Sequence, residues 1–332
     1  MKFTAPKPHT VHPNDSKFAA QVEYFDSLCR VVRGLRSLTV GVIGARTTAF
    51  KTVRIDELTL QKHGVTVETF DLSGVLARTR ALTEDSRKAK EKAQRLMEYT
   101  CWDGVPQEAL RTLAKLAVVI DELIDENRLD AIALRCWLEL ETELGISPCV
   151  LLSELNDRGI AAACELDIGN AVTRRALSLA SRRPAICLDW NNNYGQEEDK
   201  CILFHCGSVP RSLMSDAGRI TGHEILKTTL GEGRAYGCNV GRIATMPFTY
   251  GSLLSEGGKL HGYLGEGRFT EDPIPPEFFG CAGVAHIPNL QDTLQTIGYL
   301  GFRHHVSVAP GRVKEPVREA LSKYLGYQVS TV

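Results

Sequence analysis

The 332-residue sequence contains no Cys-x-x-Cys pair, no long apolar run and no excess of charge of either sign. Its ten cysteines are scattered, and the closest two are Cys201 and Cys206. This spacing argues against a zinc knuckle or a redox pair and favours small buried thiols. No apolar run approaches the roughly 18 residues of a membrane span. Because 39 basic residues offset 40 acidic ones, binding to nucleic acid or to a membrane surface is not expected.

Several catalytic motifs are also missing. The chain has no P-loop, no H-E-x-x-H and no G-x-S-x-G, which argues against P-loop NTPases, zincin proteases and α/β-hydrolases. The glycines at 41–44 follow a predicted strand but do not form G-x-G-x-x-G, so a dinucleotide site is weakly indicated.

The first 36 residues are interpreted as a leader or linker. They begin with a polar stretch punctuated by proline and lack the apolar centre and the cleavage site of a secretory signal. A cytoplasmic protein is therefore expected.

Residues 37–180 alternate between short apolar runs and stretches of helical periodicity, which predicts a parallel sheet covered on both faces. The expected class is α/β, with a Rossmann-like sandwich domain over this range. Strands are predicted at 38–44, 65–70, 131–134 and 160–164, and helices at 52–63, 83–99, 107–126, 138–144, 149–157 and 168–180.

Residues 181–332 are predicted to form a β-rich, mostly antiparallel, barrel-like C-terminal domain. Residues 1–200 hold 10 glycines and residues 201–332 hold 19, and helical periodicity is scarce before 314–325. Short strands at 185–188, 201–204 and 305–308 lie between glycine turns. The pentapeptide Leu-Gly-Glu-Gly-Arg occurs at 230–234 and at 264–268, and both copies are interpreted as turns at one rim.

Polar side chains stand at the ends of four predicted strands. Glu165 and Asp189 each follow an apolar strand, His205 ends a third, and the pair His304 and His305 precedes a fourth. In open α/β sheets, ligands bind at the carboxyl ends of the strands, and unpaired burial would cost each group about 2–7 kcal/mol. Carboxylates combined with imidazole suit a divalent cation of borderline hardness, Mn²⁺, Mg²⁺, Co²⁺ or Zn²⁺.

Each of these residues also has a simpler interpretation. Asp189 could belong to an Asx turn, a strand histidine could be a hydrogen-bonded core group, and Asp167 could cap the helix at 168–180. The cap is expected for Asp167. Glu165 lies too close to the apolar strand to be assumed solvated.

The runs that carry these residues resemble the L-fucose isomerase-like proteins, with L-arabinose isomerases as more distant relatives of the same architecture. The similarity covers most of the chain, is most specific from 130 to 210 and is thin between about 211 and 300. The matching runs are 41–50, 136–137, 147–149, 163–167, 188–194 and 204–206.

This resemblance implies a metal-dependent aldose–ketose isomerase that uses Mn²⁺, with Mg²⁺ or Co²⁺ as alternatives, and that assembles as a homo-oligomer. Family members hold the ion with a Glu, an Asp and a late His, which correspond here to Glu165, Asp189 and His305, with His304 as the alternative. His205 corresponds to a further histidine that L-arabinose isomerases place on the metal.

The implied reaction moves a proton between C2 and C1 of an open-chain sugar through a cis-enediolate. Glu165 and Asp189 would be the acid/base pair, and either could act first. The side chains expected to hold the sugar are Arg46, Arg135, Trp137 and Asn191. Arg46 could equally be a surface arginine, and Trp137 could simply pack a helix against the sheet.

Arg135 departs from the family pattern, in which many relatives have an uncharged hydrogen-bonding residue. An arginine that faces the pocket would favour an anionic sugar, such as a sulfonated or phosphorylated hexose.

A second departure is that relatives usually begin with an additional N-terminal α/β domain, whereas this chain starts near their second domain. In such oligomers that domain can help to close a neighbour's active site. The alternative function is therefore a catalytically silent sugar-binding remnant or one half of a split isomerase. A metal-dependent hydrolase or aldolase is a third hypothesis, because carboxylate–histidine sites serve many reactions.

Overall fold

The computed structural model describes residues 2–4, 9–231 and 233–332. The interval 1–36, predicted as a leader or linker, contains the helix α1 (Ser16–Leu35), which Asp15 caps. Leu28, Val31 and Leu35 of α1 are buried in a core shared with the first sheet. The sequence prediction did not anticipate this helix.

The first sheet has four parallel strands in the order β2-β1-β3-β4, which confirms the predicted α/β class. The strands are β1 (Leu38–Ile43), β2 (Val65–Phe70), β3 (Ala131–Leu134) and β4 (Ala161–Ala163). Every residue of β3 is buried, as expected of a strand that pairs on both sides and is covered on both faces. All four strands end at the same edge of this sheet.

Helices cover both faces of the sheet. Helix α8 packs with α1 in one hydrophobic core, and α3, α4, α5 and α7 pack in another. Their bounds are α2 (Glu57–Lys62), α3 (Leu72–Ala81), α4 (Arg87–Tyr99), α5 (Gln107–Asn127), α6 (Glu139–Glu143), α7 (Cys149–Asp157) and α8 (Ile168–Ser181).

The helix predicted at 52–63 is shorter in the structure. A 3-10 turn at Lys51–Val53 precedes it, and α2 begins at Glu57. The Asp56 side chain accepts a hydrogen bond from the backbone N–H of Leu58, so a local cap sets the helix start.

The second half of the chain forms a closed six-stranded antiparallel barrel, which confirms the prediction of a barrel-like domain. Its order is β11-β6-β5-β12-β9-β10, and pairing of β10 with β11 closes it. The strands are β5 (Ile186–Tyr194), β6 (Glu197–His205), β7 (Arg219–Gly222), β8 (Tyr236–Val240), β9 (Met246–Glu256), β10 (Lys259–Phe269), β11 (Cys281–His286), β12 (His305–Pro310) and β13 (Gln328–Thr331).

The remaining elements of this half are not part of the closed barrel. Strands β7 and β8 form a separate pair, and β13 runs parallel to β10. The helices are α9 (Lys227–Leu230), α10 (Leu290–Tyr299) and α11 (Lys314–Glu319), with a π-helical turn at Ala320–Tyr324 and 3-10 turns at Arg211–Leu213 and Glu224–Leu226.

The interpretation of the repeated pentapeptide as two similar turns is wrong. The copy at 264–268 lies inside strand β10, whereas the copy at 230–234 follows α9 in a loop and includes Glu232, which is outside the described residues. A Cβ atom at Gly265 would lie 2.2 Å from Cζ of Tyr250, and one at Gly267 would lie 2.8 Å from Cζ of Phe248. The glycines of β10 therefore make room for aromatic rings in the barrel core.

No helix in residues 2–4, 9–231 and 233–332 is both long enough and apolar enough to cross a bilayer.

A buried carboxylic acid within α6 makes stability depend on pH. Glu141 is 1% exposed, accepts a 3.2 Å hydrogen bond from the Ser147 hydroxyl, and has a second oxygen with no partner in the described part of the chain. Burial raises the pKa of Glu141 to about 8. The folded state therefore holds a proton that the unfolded chain, with an ordinary pKa, releases above about pH 4.5.

The free energy of unfolding should fall as pH rises from 5 to 8, and Glu141→Gln should remove this part of the dependence. The expected difference between the two proteins over this range is roughly 3–4 kcal/mol, measured by urea unfolding at both pH values. Parallel pH profiles for the native protein and Glu141→Gln would contradict the neutral carboxyl group.

Candidate active site

The site is built around a sharp turn after β4. Glu165 and Leu166 both adopt left-handed backbone conformations, with φ of 58° and 57°. Such conformations cost non-glycine residues on the order of 1 kcal/mol each and persist where the surrounding structure holds them. The turn directs the chain from the buried strand into α8, whose first turn is capped by Asp167, as predicted. Glu165 is 6% exposed at this edge of the sheet.

The barrel contributes the facing side chains. Asp189 of β5 and His305 of β12 are direct partners in an antiparallel ladder, which brings their side chains onto the same face. His205 ends β6, the strand on the other side of β5. Residues from the first sheet and from the barrel thus meet at one place, although 24 to 140 positions separate Glu165 from them in the sequence.

Three buried polar atoms converge at this place. His305 Nε2 lies 3.2 Å from Glu165 Oε2 and 3.6 Å from Asp189 Oδ1. All three atoms are inaccessible to solvent and none has a hydrogen-bond partner among the described residues. Because unpaired buried polar atoms are costly, this arrangement indicates a group that the three atoms bind in common.

Asp167 orients His305. Its carboxylate lies 2.8 Å from His305 Nδ1 and also accepts a hydrogen bond from the Arg303 guanidinium. The pKa of Asp167 is lowered although burial opposes this, because Arg303 and His305 favour the carboxylate. When Nδ1 donates to this carboxylate and Nε2 is deprotonated, as metal binding requires, the lone pair of His305 Nε2 points to Glu165 and Asp189.

Sequence reasoning missed this function of Asp167 and the whole contribution of Arg303. The signals were present: Asp167 stands two positions after Glu165, and Arg303 immediately precedes the histidine pair. Both side chains are almost completely buried, which only the tertiary structure shows.

His304 lies at the edge of the cluster formed by Glu165, Asp189 and His305. Its Nε2 is 3.8 Å from both Glu165 Oε2 and Asp189 Oδ1, its side chain is 40% exposed, and Thr52 hydrogen-bonds its Nδ1 at 3.0 Å. Burial raises the pKa of Glu165, but the neighbouring imidazoles of His304 and His305 favour the carboxylate and outweigh this effect, so that the pKa of Glu165 is held well below its ordinary value.

An aromatic wall, formed by Phe50, Trp137 and His223, lies near these groups, since the charge of Glu165 acts on the pKa of His223. The Trp137 ring makes edge contacts with Phe50, at a centroid distance of 5.5 Å, and with His223, at 5.3 Å. His223, which sequence reasoning did not single out, is 2% exposed, and neither ring nitrogen has a partner within the described ranges. Burial lowers the pKa of His223 to about 4, so this ring is neutral at pH 7.

The two predicted arginines have different surroundings. Arg135 pairs with Glu139 and donates to the backbone carbonyls of Trp137 and Ala45, so its charge is already balanced. Arg46 is half-buried, and no carboxylate in the parts of the chain that the structure describes pairs with it. The Thr47 hydroxyl next to it donates to the carbonyl of Trp137 at 2.9 Å, which ties this loop to the aromatic wall.

Asn191 is exposed on β5, two positions after Asp189.

The donor set fits a divalent cation. Glu165, His304 and His305 offer ligand atoms within 4.8 Å of one another, and Asp189 Oδ1 lies beside them. Two carboxylates and an imidazole suit Mn²⁺ or a similar ion. The carboxylate of Asp167 behind the imidazole is the outer contact typical of a metal-binding histidine.

The protein combines an α/β layer with a closed barrel, and carboxylates and histidines lie where the two meet. Residues 203–332 match the family described as "L-fucose isomerase, C-terminal domain". This range includes the candidate ligands His205, His304 and His305 but neither Glu165 nor Asp189. The C-terminal part of the chain is therefore similar to this family.

Curated relatives extend the similarity over most of the chain. A sulfoquinovose isomerase from Priestia aryabhattai is 24% identical over 299 residues, which cover 88% of this chain and 64% of the relative. Proteins of the same name from Alkalicoccus urumqiensis and Clostridium sp. strain MSTE9 are each 26% identical and cover 91% of this chain and 67% of the relative. The chain thus spans about two thirds of the length of these relatives.

Proposed function

We propose that this chain catalyses metal-dependent aldose–ketose isomerisation at the site of Glu165, Asp189 and His305. The observation that carries the proposal is the convergence of three buried, unpartnered polar atoms, one from each residue. His305 is assigned as the histidine ligand because its imidazole is buried and oriented by Asp167, whereas His304 is partly exposed and bound to Thr52.

A bound Mn²⁺, or Mg²⁺ or Co²⁺ in its place, would polarise oxygen atoms of the sugar and stabilise negative charge on them. The carboxylates of Glu165 and Asp189 carry the proton chemistry: one removes the proton from C2 of the open-chain aldose, a proton is returned at C1, and the hydroxyl proton of O2 passes to O1. The sugar passes through a cis-enediolate. Glu165 is ionised at pH 7, since its pKa lies below its ordinary value, and only the ionised carboxylate can accept a proton.

We further propose that the substrate is an anionic hexose. The relatives are named sulfoquinovose isomerases, and a sulfonated sugar needs a cation to bind its charge. Of the two predicted arginines, Arg46 suits this role better than Arg135, because Glu139 already balances the charge of Arg135. The aromatic wall at Trp137 would pack against a face of the sugar. The expected homo-oligomer and cytoplasmic location stay predictions.

The test is an isomerisation assay of the purified chain with neutral, sulfonated and phosphorylated aldohexoses. Turnover is expected only with a divalent cation: a chelator should abolish ketose formation, and added Mn²⁺ should restore it. The anionic sugars should show the higher kcat/KM. Arg46→Gln should reduce this preference, and Arg312→Gln, on the exposed surface, is the matched control.

The other outcomes select the alternatives. Metal and sugar binding without ketose formation would favour the silent sugar-binding protein or the split enzyme, and cleaved sugar products would favour a hydrolase or an aldolase. A chain that binds no divalent cation would contradict the proposal.

A further inference from the structure

Three side chains with soft donor atoms, Cys164, Cys187 and His205, lie beside the residues proposed to hold Mn²⁺, which is a harder cation. Cys164 immediately precedes Glu165, and Cys187 precedes Asp189 by two positions on β5. Since alternate residues of a strand share a face, Cys187 and Asp189 point to the same side of β5. His205, from the neighbouring strand, lies next to both cysteines in this region. All three soft donors are almost completely buried.

The distances place these donors within reach of one ion. Cys164 Sγ lies 3.2 Å from His205 Nε2. Ligand atoms of Cys187, His205 and His305 all lie within 4.8 Å of one another. The rings of His205 and His305 are 5.7 Å apart between centroids. Donors around a tetrahedral ion with bonds of about 2.0–2.3 Å are roughly 3.3–3.8 Å apart, so shifts of about 1 Å would close this set.

We propose that Cys187, His205 and His305, with Cys164 adjacent, form a second metal site for a thiophilic cation such as Zn²⁺ or Cd²⁺. Thiolate and imidazole ligands select these ions, whereas the carboxylates of Glu165 and Asp189 select Mn²⁺ or Mg²⁺. Binding at the new site displaces the thiol protons to solvent, since thiolates are the metal ligands.

The two sites exclude each other because they share His305. Its Nε2 faces Glu165 and Asp189, and its Nδ1 bonds to Asp167. A cation at the soft site takes one of these nitrogens. If the cation binds Nε2, this nitrogen is no longer available beside Glu165 and Asp189. If the cation binds Nδ1, the contact with Asp167 that orients the ring is broken. Thiophilic cations therefore lower the affinity for Mn²⁺, and bound Mn²⁺ lowers the affinity for them.

The experiment titrates the metal-free 332-residue chain with Cd²⁺ and follows the ultraviolet absorbance of cadmium–thiolate bonds. A saturable absorbance is expected. Cys187→Ser should weaken binding roughly 10-fold or more, in the range that follows loss of a metal-supporting group. Saturating Mn²⁺ should shift the Cd²⁺ titration to higher concentration, and Glu165→Gln should reduce that competition.

Cys149→Ser is the matched control. Cys149 is also buried, and its Sγ lies 3.9 Å from Cys238 Sγ, so this pair is the competing thiol site. Unchanged Cd²⁺ absorbance in Cys149→Ser is expected. Loss of the absorbance in Cys149→Ser but not in Cys187→Ser would overturn the proposal, as would the absence of any thiolate absorbance.

Thermal unfolding of each variant shows whether it folds. His205→Gln, which keeps both thiols, is the second variant and should weaken Cd²⁺ binding as Cys187→Ser does. Equal affinity in His205→Gln and the native chain would contradict the assignment. The readout is binding alone, so an absence of isomerase activity would count against the proposed function and leave this result unaffected.

Discussion

Glu165→Gln is expected to lower kcat for isomerisation by roughly 10²–10⁴-fold, the range typical of a lost general acid or base. The amide keeps the size of the side chain but cannot accept the proton from the sugar. Asp189→Asn should have an effect of the same order. The measurement is ketose formation at saturating sugar and at a Mn²⁺ concentration shown by titration to fill the site of each variant.

Saturation with the metal separates two roles of the same carboxylate. If Glu165 only held the ion, enough Mn²⁺ would restore the native kcat in Glu165→Gln. A low kcat at full occupancy, with no exchange of the sugar C–H proton with solvent, is the expected result. Glu68→Gln, at an exposed position of edge strand β2, is the matched control and should keep its turnover.

Arg303→Met is expected to lower the free energy of unfolding by about 3–5 kcal/mol, because it leaves the Asp167 carboxylate buried without its cation. The side chains of Arg303 and Asp167 are 1% and 0% exposed. Methionine preserves much of the side-chain volume of arginine, so the decrease in the free energy of unfolding reports mainly the loss of the positive charge. Urea unfolding in the presence of a chelator measures the effect without a contribution from bound metal.

A double-mutant cycle tests the assignment to this pair. Arg303→Met combined with Asp167→Asn should lose less stability than the sum of the two single changes. Arg312→Met, which removes an exposed ion pair with Glu266, is the control and should cost less than about 1 kcal/mol. A loss below 1 kcal/mol in Arg303→Met would show that the buried pair contributes little.

Most elements of the first domain could be predicted because their patterns are local. The strand at Val65–Phe70 and the helix from Gln107 have the predicted starts, and Asp167 caps α8 as expected. The second domain was harder to predict in detail. Helix α10 was not anticipated, and the glycines of β10 were interpreted as a turn although packing against Tyr250 and Phe248 requires them.

In the candidate site, too, local sequence patterns identified some residues, whereas contacts between distant residues could not be predicted. Glu165, Asp189 and the pair His304 and His305 are conspicuous in the sequence because polar residues stand at the ends of apolar strands, and the resemblance to L-fucose isomerase-like proteins then favoured His305 over His304. Arg135 was expected to face the pocket, but its pairing with Glu139 depends on how the chain turns after β3. The contact of Asp167 with His305 spans 138 positions, and no local pattern contains it.

The sequence by itself determined the α/β class, the change to an antiparallel barrel, the identity of three converging side chains and the resemblance to L-fucose isomerase-like proteins. These follow from periodicity, strand ends and short runs, which are properties of neighbouring residues. Tertiary structure alone decided which nitrogen of His305 faces the carboxylates, that Arg303 stabilises Asp167, and that Cys187 and His205 lie beside the same group. Those contacts depend on strand register and barrel closure, which bring together side chains that are distant in sequence.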